Sequence, residues 1–142
     1  MWSFEFQHPT TAAPQTVWSL WSDVALWPEW DVDLDAVSLD GDFAAGAQGT
    51  LKPKGMDAFP FTITRAEPNR GYTDETPLPG AVLRFDHDLV PAEHGIVIRQ
   101  RVRMDGPAAN EYFEQFGGKI ILDLPGALAR LAEKAEQAGV GG

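Results

Sequence analysis

The sequence predicts an α+β fold, in which a curved antiparallel sheet of about seven strands packs on a long C-terminal helix. Three observations lead to this prediction. Apolar and polar residues alternate from Trp2 to Gln7, as in a half-buried strand. The same alternation returns in two consecutive segments between Leu83 and Met104. From Pro107 to Ala138 the apolar residues instead recur every three or four positions, as on one face of a helix.

Four of the five tryptophans lie in one stretch, Trp18–Trp30, directly after the first strand. The first two are three residues apart, so they share a face on a helix that begins near Ala13. A second short helix is expected over Val24–Trp27, because Ser22 or Asp23 can cap it and Pro28 discourages its continuation. We interpret these tryptophans as core residues, since each indole buries a large apolar area.

The end of the first strand and the positions of the next four strands follow from alternation and turn residues. The first strand is expected to end at His8–Pro9, since proline lacks a backbone N–H. A shift of the apolar phase near Asp35–Ala36 indicates a β-bulge in the second strand. The next predicted strands, in chain order, cover Val32–Leu39, Ala47–Lys54, Phe59–Glu67 and the weaker segment Tyr72–Thr76. The element order is therefore one strand, two short helices, six strands and the long helix.

The last two strands form the best-defined hairpin. If Ala92–Gly95 is a four-residue loop, Asp86 lies opposite Arg101 and Asp88 opposite Arg99 on the outer face. Opposite charges across a strand pair favour this register by a few tenths of a kcal/mol per pair.

The same register places His87 beside Gln100 on the inner, apolar face of the hairpin. His87 is the candidate catalytic residue, because an imidazole exchanges protons near neutral pH and Gln100 could orient it or hold a substrate carbonyl. Tyr72 or Asp74 adds a polar group there if the fifth strand presents that face inward. The alternative interpretation is that His87 and Gln100 satisfy each other's hydrogen bonds in an inert core.

The long helix contains two weak points, Gly117–Gly118 and Pro125–Gly126, which are expected to bend or interrupt it. A helix that arches over the sheet leaves space beneath it. The alternative is a straight helix that seals a filled core.

Composition excludes several function classes. The formal net charge of -10 argues against nucleic acid and anionic membrane surfaces as partners. The 142 residues fit a single domain, and no apolar run approaches the length of about 20 residues needed to span a membrane. No signal peptide is recognised, and the absence of cysteine suits a cytoplasmic protein, which is the location we expect.

No metal or cofactor site is predicted. His8, His87 and His94 fall in a strand end, a strand face and a loop, so their spacing does not resemble a metal site. The sequence also lacks a nucleophile elbow and a phosphate-binding loop, so no cofactor is expected.

Three segments carry a family resemblance: Trp21–Asp31, Thr73–Thr76 and Leu83–Leu89. Together with the element order, they resemble the START-like or Bet v 1-like (SRPBCC) superfamily, and within it the polyketide cyclase/dehydrase-like group. The resemblance covers nearly the whole chain, residues 1–142. It implies a helix-grip fold, in which the sheet curls around the last helix and encloses a hydrophobic cavity.

The function implied by this resemblance is the binding of a small hydrophobic molecule, such as a lipid, a polyketide or a similar metabolite. One alternative is a polyketide cyclase or dehydratase that uses His87 as general acid and base. Another is a protein-interaction, stress or toxin–antitoxin module with a filled core; the sequence identifies no protein partner. The residues predicted to line the cavity are Phe59, Phe61, Ile63, Tyr72, Phe85, Gln100, Val102, Phe116 and Ile120.

Overall fold

The computed structural model describes residues 1–141. The strands are β1 (Trp2–Thr10), β2 (Leu34–Leu39), β3 (Gln48–Pro53), β4 (Phe59–Glu67), β5 (Gly71–Leu78), β6 (Ala81–Ala92) and β7 (Gly95–Asp105). The helices are α1 (Pro14–Trp21), a 3₁₀ helix (Val24–Glu29), α2 (Ala109–Tyr112), a π-helical turn (Phe113–Gly117) and α3 (Gly118–Gly141).

All seven strands form one curved antiparallel sheet in the order β1-β7-β6-β5-β4-β3-β2. The predicted fold class is confirmed, including the element order and the long C-terminal helix. This is the helix-grip architecture.

The β6–β7 hairpin has the predicted register, and His87 lies directly opposite Gln100. The connection is tighter than predicted, since Ala92 already pairs with Gly95 and leaves a two-residue turn instead of a four-residue loop. Both loop lengths give the same register, because pairing Ala92 with Gly95 only extends the ladder.

The outer-face charges lie as predicted, with Asp86 opposite Arg101 and Asp88 opposite Arg99. Asp88 is 3.6 Å from its predicted partner. Asp86 instead bonds diagonally to Arg103 Nε at 3.0 Å. Diagonal neighbours lie within reach of long side chains, so register alone does not choose the ion pair.

The first strand runs beyond its predicted end, and the second contains the predicted bulge. β1 continues through Pro9 to Thr10, and Pro9 pairs with Val97. Proline is accommodated because β1 is an edge strand. The side of β1 that faces away from β7 has no neighbouring strand and needs no N–H donor. The predicted bulge in β2 is confirmed, since the register shifts between Leu34 and Ala36.

The buried side chains form two apolar clusters. The first apolar cluster comprises Ala12, Val17, Leu20, Trp21, Val24, Trp27, Trp30, Val37, Phe61, Ile63, Tyr72, Ile96, Ile98, Leu128, Leu131, Ala132 and Ala135. The second apolar cluster comprises Trp2, Ala81, Leu83, Val102, Met104 and Ala109. The expectation that the tryptophans serve the core agrees with this packing.

The C-terminal helical segment is interrupted at only one of its two predicted weak points. A π-helical turn ends at Gly117, where an added Cβ would lie 2.4 Å from the ring of Phe113. Pro125 lies inside α3 without ending it. Pro125 is exposed, so water can replace the missing N–H donor. Within residues 1–141, no helix is both long and apolar enough to cross a membrane.

Candidate functional site

Three polar side chains on neighbouring strands lie on the inner face of the sheet, between the two apolar clusters. This polar row consists of Asp74 on β5, His87 on β6 and Gln100 on β7. All three residues are buried, with exposed fractions of 4%, 8% and 9%. Tyr72 lies opposite His87 and is also buried. The fifth strand therefore presents Tyr72 and Asp74 inward, which was the condition for their contribution to a site.

His87 is held by neighbours on three sides. Its Nε2 lies 3.2 Å from Asp74 Oδ2, within hydrogen-bonding distance. Its ring stacks on the ring of Tyr72, with centroids 4.1 Å apart and planes at 7°. The edge of Trp21 approaches at 5.7 Å. Among the side chains of residues 1–138, Asp74 and not Gln100 is the hydrogen-bond partner of His87, so the two inner-face residues do not satisfy each other.

Burial dominates the electrostatics of the site. Desolvation raises the pKa of the Asp74 carboxyl, and the hydrogen bond with His87 opposes this effect. Burial also raises the pKa of the Tyr72 phenol well above its usual value, and the charges of Asp74 and Asp31 act in the same direction. Tyr72 therefore keeps its proton at neutral pH and can donate a hydrogen bond.

Several polar atoms of the site have no partner within the described part of the protein and are not completely enclosed. His87 Nδ1, the side-chain amide of Gln100 and the hydroxyl of Tyr72 have no hydrogen-bond partner among the described side chains and backbone. Yet no fully buried side-chain nitrogen or oxygen in the described residues lacks a partner. These three groups must therefore border space that water or a ligand can reach.

Apolar side chains provide the walls beside these polar atoms. Phe113 stacks on Phe4 with centroids 5.8 Å apart, which joins the π-helical turn to β1. Around the second apolar cluster, the large side chains are only partly buried although they lie at the junction of the sheet and the helical segment. These residues include Phe4, Phe85, Phe113, Phe116, Ile120 and Leu124. The site thus combines an apolar wall with a short row of polar groups.

The predicted cavity-lining residues divide between the two apolar clusters. Val102 belongs to the second cluster, and Phe85, Phe116 and Ile120 pack against it. The members of the first cluster are Phe61, Ile63 and Tyr72. Phe61 and Ile63 are completely enclosed, whereas Phe59 is half-buried at the start of β4. Gln100 lies in the polar row between the clusters.

Two features of the site were missed by sequence reasoning. The hydrogen bond between His87 Nε2 and Asp74 Oδ2 was not predicted, although the alternation of Tyr72 and Asp74 in β5 was a signal that both face inward. Trp21 was interpreted only as a core residue, yet it also contacts the imidazole.

A pocket of ≈ 320 Å³ opens at the β6–β7 turn, and none of its lining residues belongs to the polar row. Its lining residues are Pro9, Thr10, Thr11, Ala92, His94, Ile96 and Glu136. Thr10 Oγ1 donates a hydrogen bond to Glu136 Oε2 at 2.6 Å, so the buried hydroxyl there already has its partner. We place the candidate site at the polar row because His87 Nδ1 and the Gln100 amide lack a partner there in the described residues, and no predicted site residue lines the pocket at the turn.

The described residues contain no group of three or more histidine, aspartate or glutamate side chains arranged to hold a metal ion. One pair of neighbouring carboxylates already binds a lysine. Lys119 Nζ lies 3.1 Å from Asp33 Oδ1 and 2.7 Å from Asp123 Oδ2. An ammonium ion thus neutralises those carboxylates.

The family profile described as polyketide cyclase / dehydrase and lipid transport matches residues 1–136. The chain belongs to this family, within the SRPBCC superfamily that its sequence resembles. No curated protein sequence matches the chain.

Solved structures of distant proteins share the fold. The di-domain ARO/CYC StfQ from the steffimycin biosynthetic pathway is 13% identical, with a TM-score of 0.75 over 96% of this chain and 51% of that one. Norcoclaurine synthase from Thalictrum flavum is 11% identical, with a TM-score of 0.69 over 93% and 84%. Ara h 8.0201 is 15% identical, with a TM-score of 0.68 over 94% and 97%. At these identities the likeness concerns the fold alone.

Proposed function

We propose that the protein binds a small hydrophobic molecule between the inner face of the sheet and the helical segment from α2 to α3. One observation supports this proposal most: unpaired polar atoms of the polar row border open space beside apolar side chains that are only partly buried. Ligand sites commonly combine an apolar lining with a few convergent polar groups. The family, whose description includes lipid transport, is consistent with this function.

In this arrangement the ligand's apolar body packs on Phe85, Phe116 and Ile120. His87 and Gln100 form hydrogen bonds with a polar group of the ligand. Burying the apolar body supplies the affinity, at roughly 25 cal/mol per Å² of surface removed from water. The polar contacts orient the ligand, because leaving a buried polar atom unpaired costs about 1–3 kcal/mol.

Native mass spectrometry on protein purified gently from its own host tests this function. We expect a small apolar molecule that is retained in the native spectrum and lost on denaturation. A panel of hydrophobic compounds should also raise the melting temperature, because a ligand that binds only the folded state stabilises it. An empty protein together with a panel that causes no thermal shift would contradict the proposal.

Two neighbouring isoleucines on α3 provide a matched pair for locating the site. Ile120 packs against the second apolar cluster, whereas Ile121 is half-buried and belongs to neither cluster. We expect Ile120→Asp to weaken binding at least about tenfold, because a carboxylate there faces the apolar ligand. Ile121→Asp should retain binding. Equal loss in both variants would contradict the proposed location.

A second candidate function is that of a polyketide cyclase or dehydratase, which the buried Asp74–His87 pair favours. In this mechanism His87 removes an acidic proton beside a substrate carbonyl. The resulting enolate attacks a second carbonyl of the same chain and forms the new carbon–carbon bond. His87, now protonated, returns the proton to the alkoxide. His87 then removes a second proton from the carbon beside the carbonyl and transfers it to the departing hydroxyl group, which leaves as water while the ring gains a double bond. Tyr72 is placed to donate a hydrogen bond to a developing oxyanion.

Turnover of the retained compound distinguishes the two functions. His87→Gln should abolish product formation while sparing ligand affinity, because glutamine keeps hydrogen-bonding capacity but does not exchange a proton. His94→Gln is the control, since His94 lies at the β6–β7 turn and is exposed. Equal activity in wild type and His87→Gln would exclude His87 as the catalytic residue.

A further inference from the structure

We propose that Asp74 is a positioning residue that holds His87 in the tautomer protonated at Nε2, so that Nδ1 faces the ligand as a hydrogen-bond acceptor. The ligand part of this inference rests on the proposed binding function. The part that concerns the tautomer is a property of the free protein.

The hydrogen-bond geometry distinguishes the two ring nitrogens of His87. Nε2 lies 3.2 Å from Asp74 Oδ2, and an ionised carboxylate can only accept a hydrogen bond. At a pH above the raised pKa of Asp74, where the carboxyl is ionised, Nε2 must then carry the proton. In a neutral imidazole the other nitrogen, Nδ1, becomes the acceptor.

Packing fixes the orientation of the ring. Tyr72 covers one face of the imidazole in a nearly parallel stack, and Trp21 approaches it edge-on. Tyr72 is itself packed by Trp27 and Phe43, with ring centroids 5.8 and 5.1 Å away. A ring held in this way retains the Nε2–Asp74 contact instead of rotating freely.

The surroundings of Nδ1 leave it available to a ligand. It has no hydrogen-bond partner in the described residues and borders open space. The titratable neighbours of His87 are Asp74 and Tyr72 on β5, and the charge of Asp31, after the 3₁₀ helix, acts on Tyr72. From β7, Gln100 contributes an uncharged amide. Arg65 Nη2 lies 3.5 Å from the backbone carbonyl oxygen of His87, but among the described side chains no cation bonds the imidazole ring itself.

An acceptor at Nδ1 sets the chemistry that the site prefers. A hydroxyl group of an enol or a phenol can donate a hydrogen bond to it. A methyl ether or a ketone at the same position cannot, and would leave Nδ1 unpaired when the ligand excludes water. The site should therefore discriminate between an aromatic alcohol and its methyl ether.

The tautomer is measured by ¹⁵N NMR of the free, histidine-labelled protein at a pH where His87 is neutral. We expect an unprotonated Nδ1, and an Nε2 whose proton exchanges slowly and gives a visible signal. Asp74→Leu should lose this proton signal, because the acceptor is gone. A wild-type spectrum with the proton on Nδ1 would overturn the inference, whether or not the variant folds.

The ligand preference is measured with 2-naphthol and 2-methoxynaphthalene. Wild type should bind 2-naphthol about tenfold more tightly, the ratio that one unsatisfied hydrogen-bonding group produces. Asp74→Leu should reduce this ratio, and His94→Gln, at the exposed β6–β7 turn, should preserve it. Equal affinities in wild type would overturn the assignment of Nδ1 as the ligand's acceptor.

The binding measurement and the ¹⁵N spectrum test different parts of the inference, so either part can be contradicted alone. If neither naphthalene binds, the proposed site for aromatic ligands is wrong, and with it the ligand preference. The ¹⁵N spectrum still decides the role of Asp74, since it requires no ligand.

Discussion

His87 derives its chemical environment from residues on two other elements. Asp74 on β5 provides the hydrogen-bond partner, Tyr72 on the same strand stacks on the ring, and Trp21 at the end of α1 packs against its edge. Asp74 itself is in an unfavourable position, because a carboxyl buried beside apolar clusters loses hydration. Burying Asp74 beside His87 therefore lowers the stability of the fold. Residues at functional sites commonly have such a cost.

The raised pKa of Asp74 predicts a pH dependence of stability. The folded state holds this proton to a higher pH than the unfolded chain, so the contribution is full below the unfolded carboxyl pKa. It is lost as the pH rises through the folded-state pKa. Asp74→Asn removes the ionisation and keeps hydrogen-bonding capacity. The free energy of unfolding of Asp74→Asn minus that of wild type should therefore increase from about pH 4 to pH 7.

Urea denaturation at both pH values measures this difference. Asp40→Asn is the control, because Asp40 is exposed and the substitution should leave the pH dependence unchanged. An Asp74→Asn variant with the wild-type pH dependence would contradict the account of a desolvated carboxyl.

At the residue scale, the sequence predicted which side chains face inward but not which of them bond. Alternation in β6 and β7 placed His87 opposite Gln100, and the structure confirms this register. The partner of His87 was not predictable in this way, because Asp74 reaches it diagonally across the β5–β6 pair. No charge pattern was identified that fixed that register in advance.

At the element scale, the junction between β7 and α3 shapes the site. α2 and the π-helical turn bring Phe113 and Phe116 over the inner face before α3 begins. π-helical turns are rare and are frequently found at functional sites. The two adjacent glycines predicted an interruption here. Phe113 lies so close to Gly117 that a side chain at this position would clash with its ring. Pro125 was expected to act similarly, but its exposed position lets α3 continue.

Gly117 and Gly118 offer a matched test of this junction. An added Cβ at Gly117 would meet Phe113, whereas nothing lies within 4 Å of one at Gly118. We expect Gly117→Ala to reduce the free energy of unfolding by about 1–3 kcal/mol, since the ring must move in a packed interface. Gly118→Ala should be neutral or stabilise by about 1 kcal/mol through its helix propensity. Denaturant unfolding measures both, and equal effects would contradict the crowding at Gly117.

At the scale of the whole molecule, the fold is more predictable than the division of its core. Alternating strands and the long helical periodicity led to the helix-grip architecture, which is shared with proteins of 11–15% identity. The same apolar residues did not reveal that they form two clusters separated by a polar row. That separation depends on how far the helical segment stands from the sheet, which residue types do not encode.

The close packing of the first apolar cluster predicts how much stability is lost when a buried side chain is truncated. Ile98 is fully buried on the inner face of β7, adjacent to Gln100 along that face. Ile98→Ala should reduce the free energy of unfolding by about 2–5 kcal/mol. Ile121→Ala, outside both clusters, should cost much less. Urea unfolding compares the two, and a similar cost at both positions would contradict the packed core beside the polar row.

The most direct test of the account is an isoleucine-methyl NMR titration of the wild-type protein with 2-naphthol. The methyl group of Ile120, which packs against the second apolar cluster, reports on the proposed site, and that of Ile96 reports on the pocket at the β6–β7 turn. A ligand bound at the polar row should shift the Ile120 signal and leave that of Ile96 nearly unchanged. Shifts confined to Ile96 would place the ligand in the other pocket and contradict the central claim.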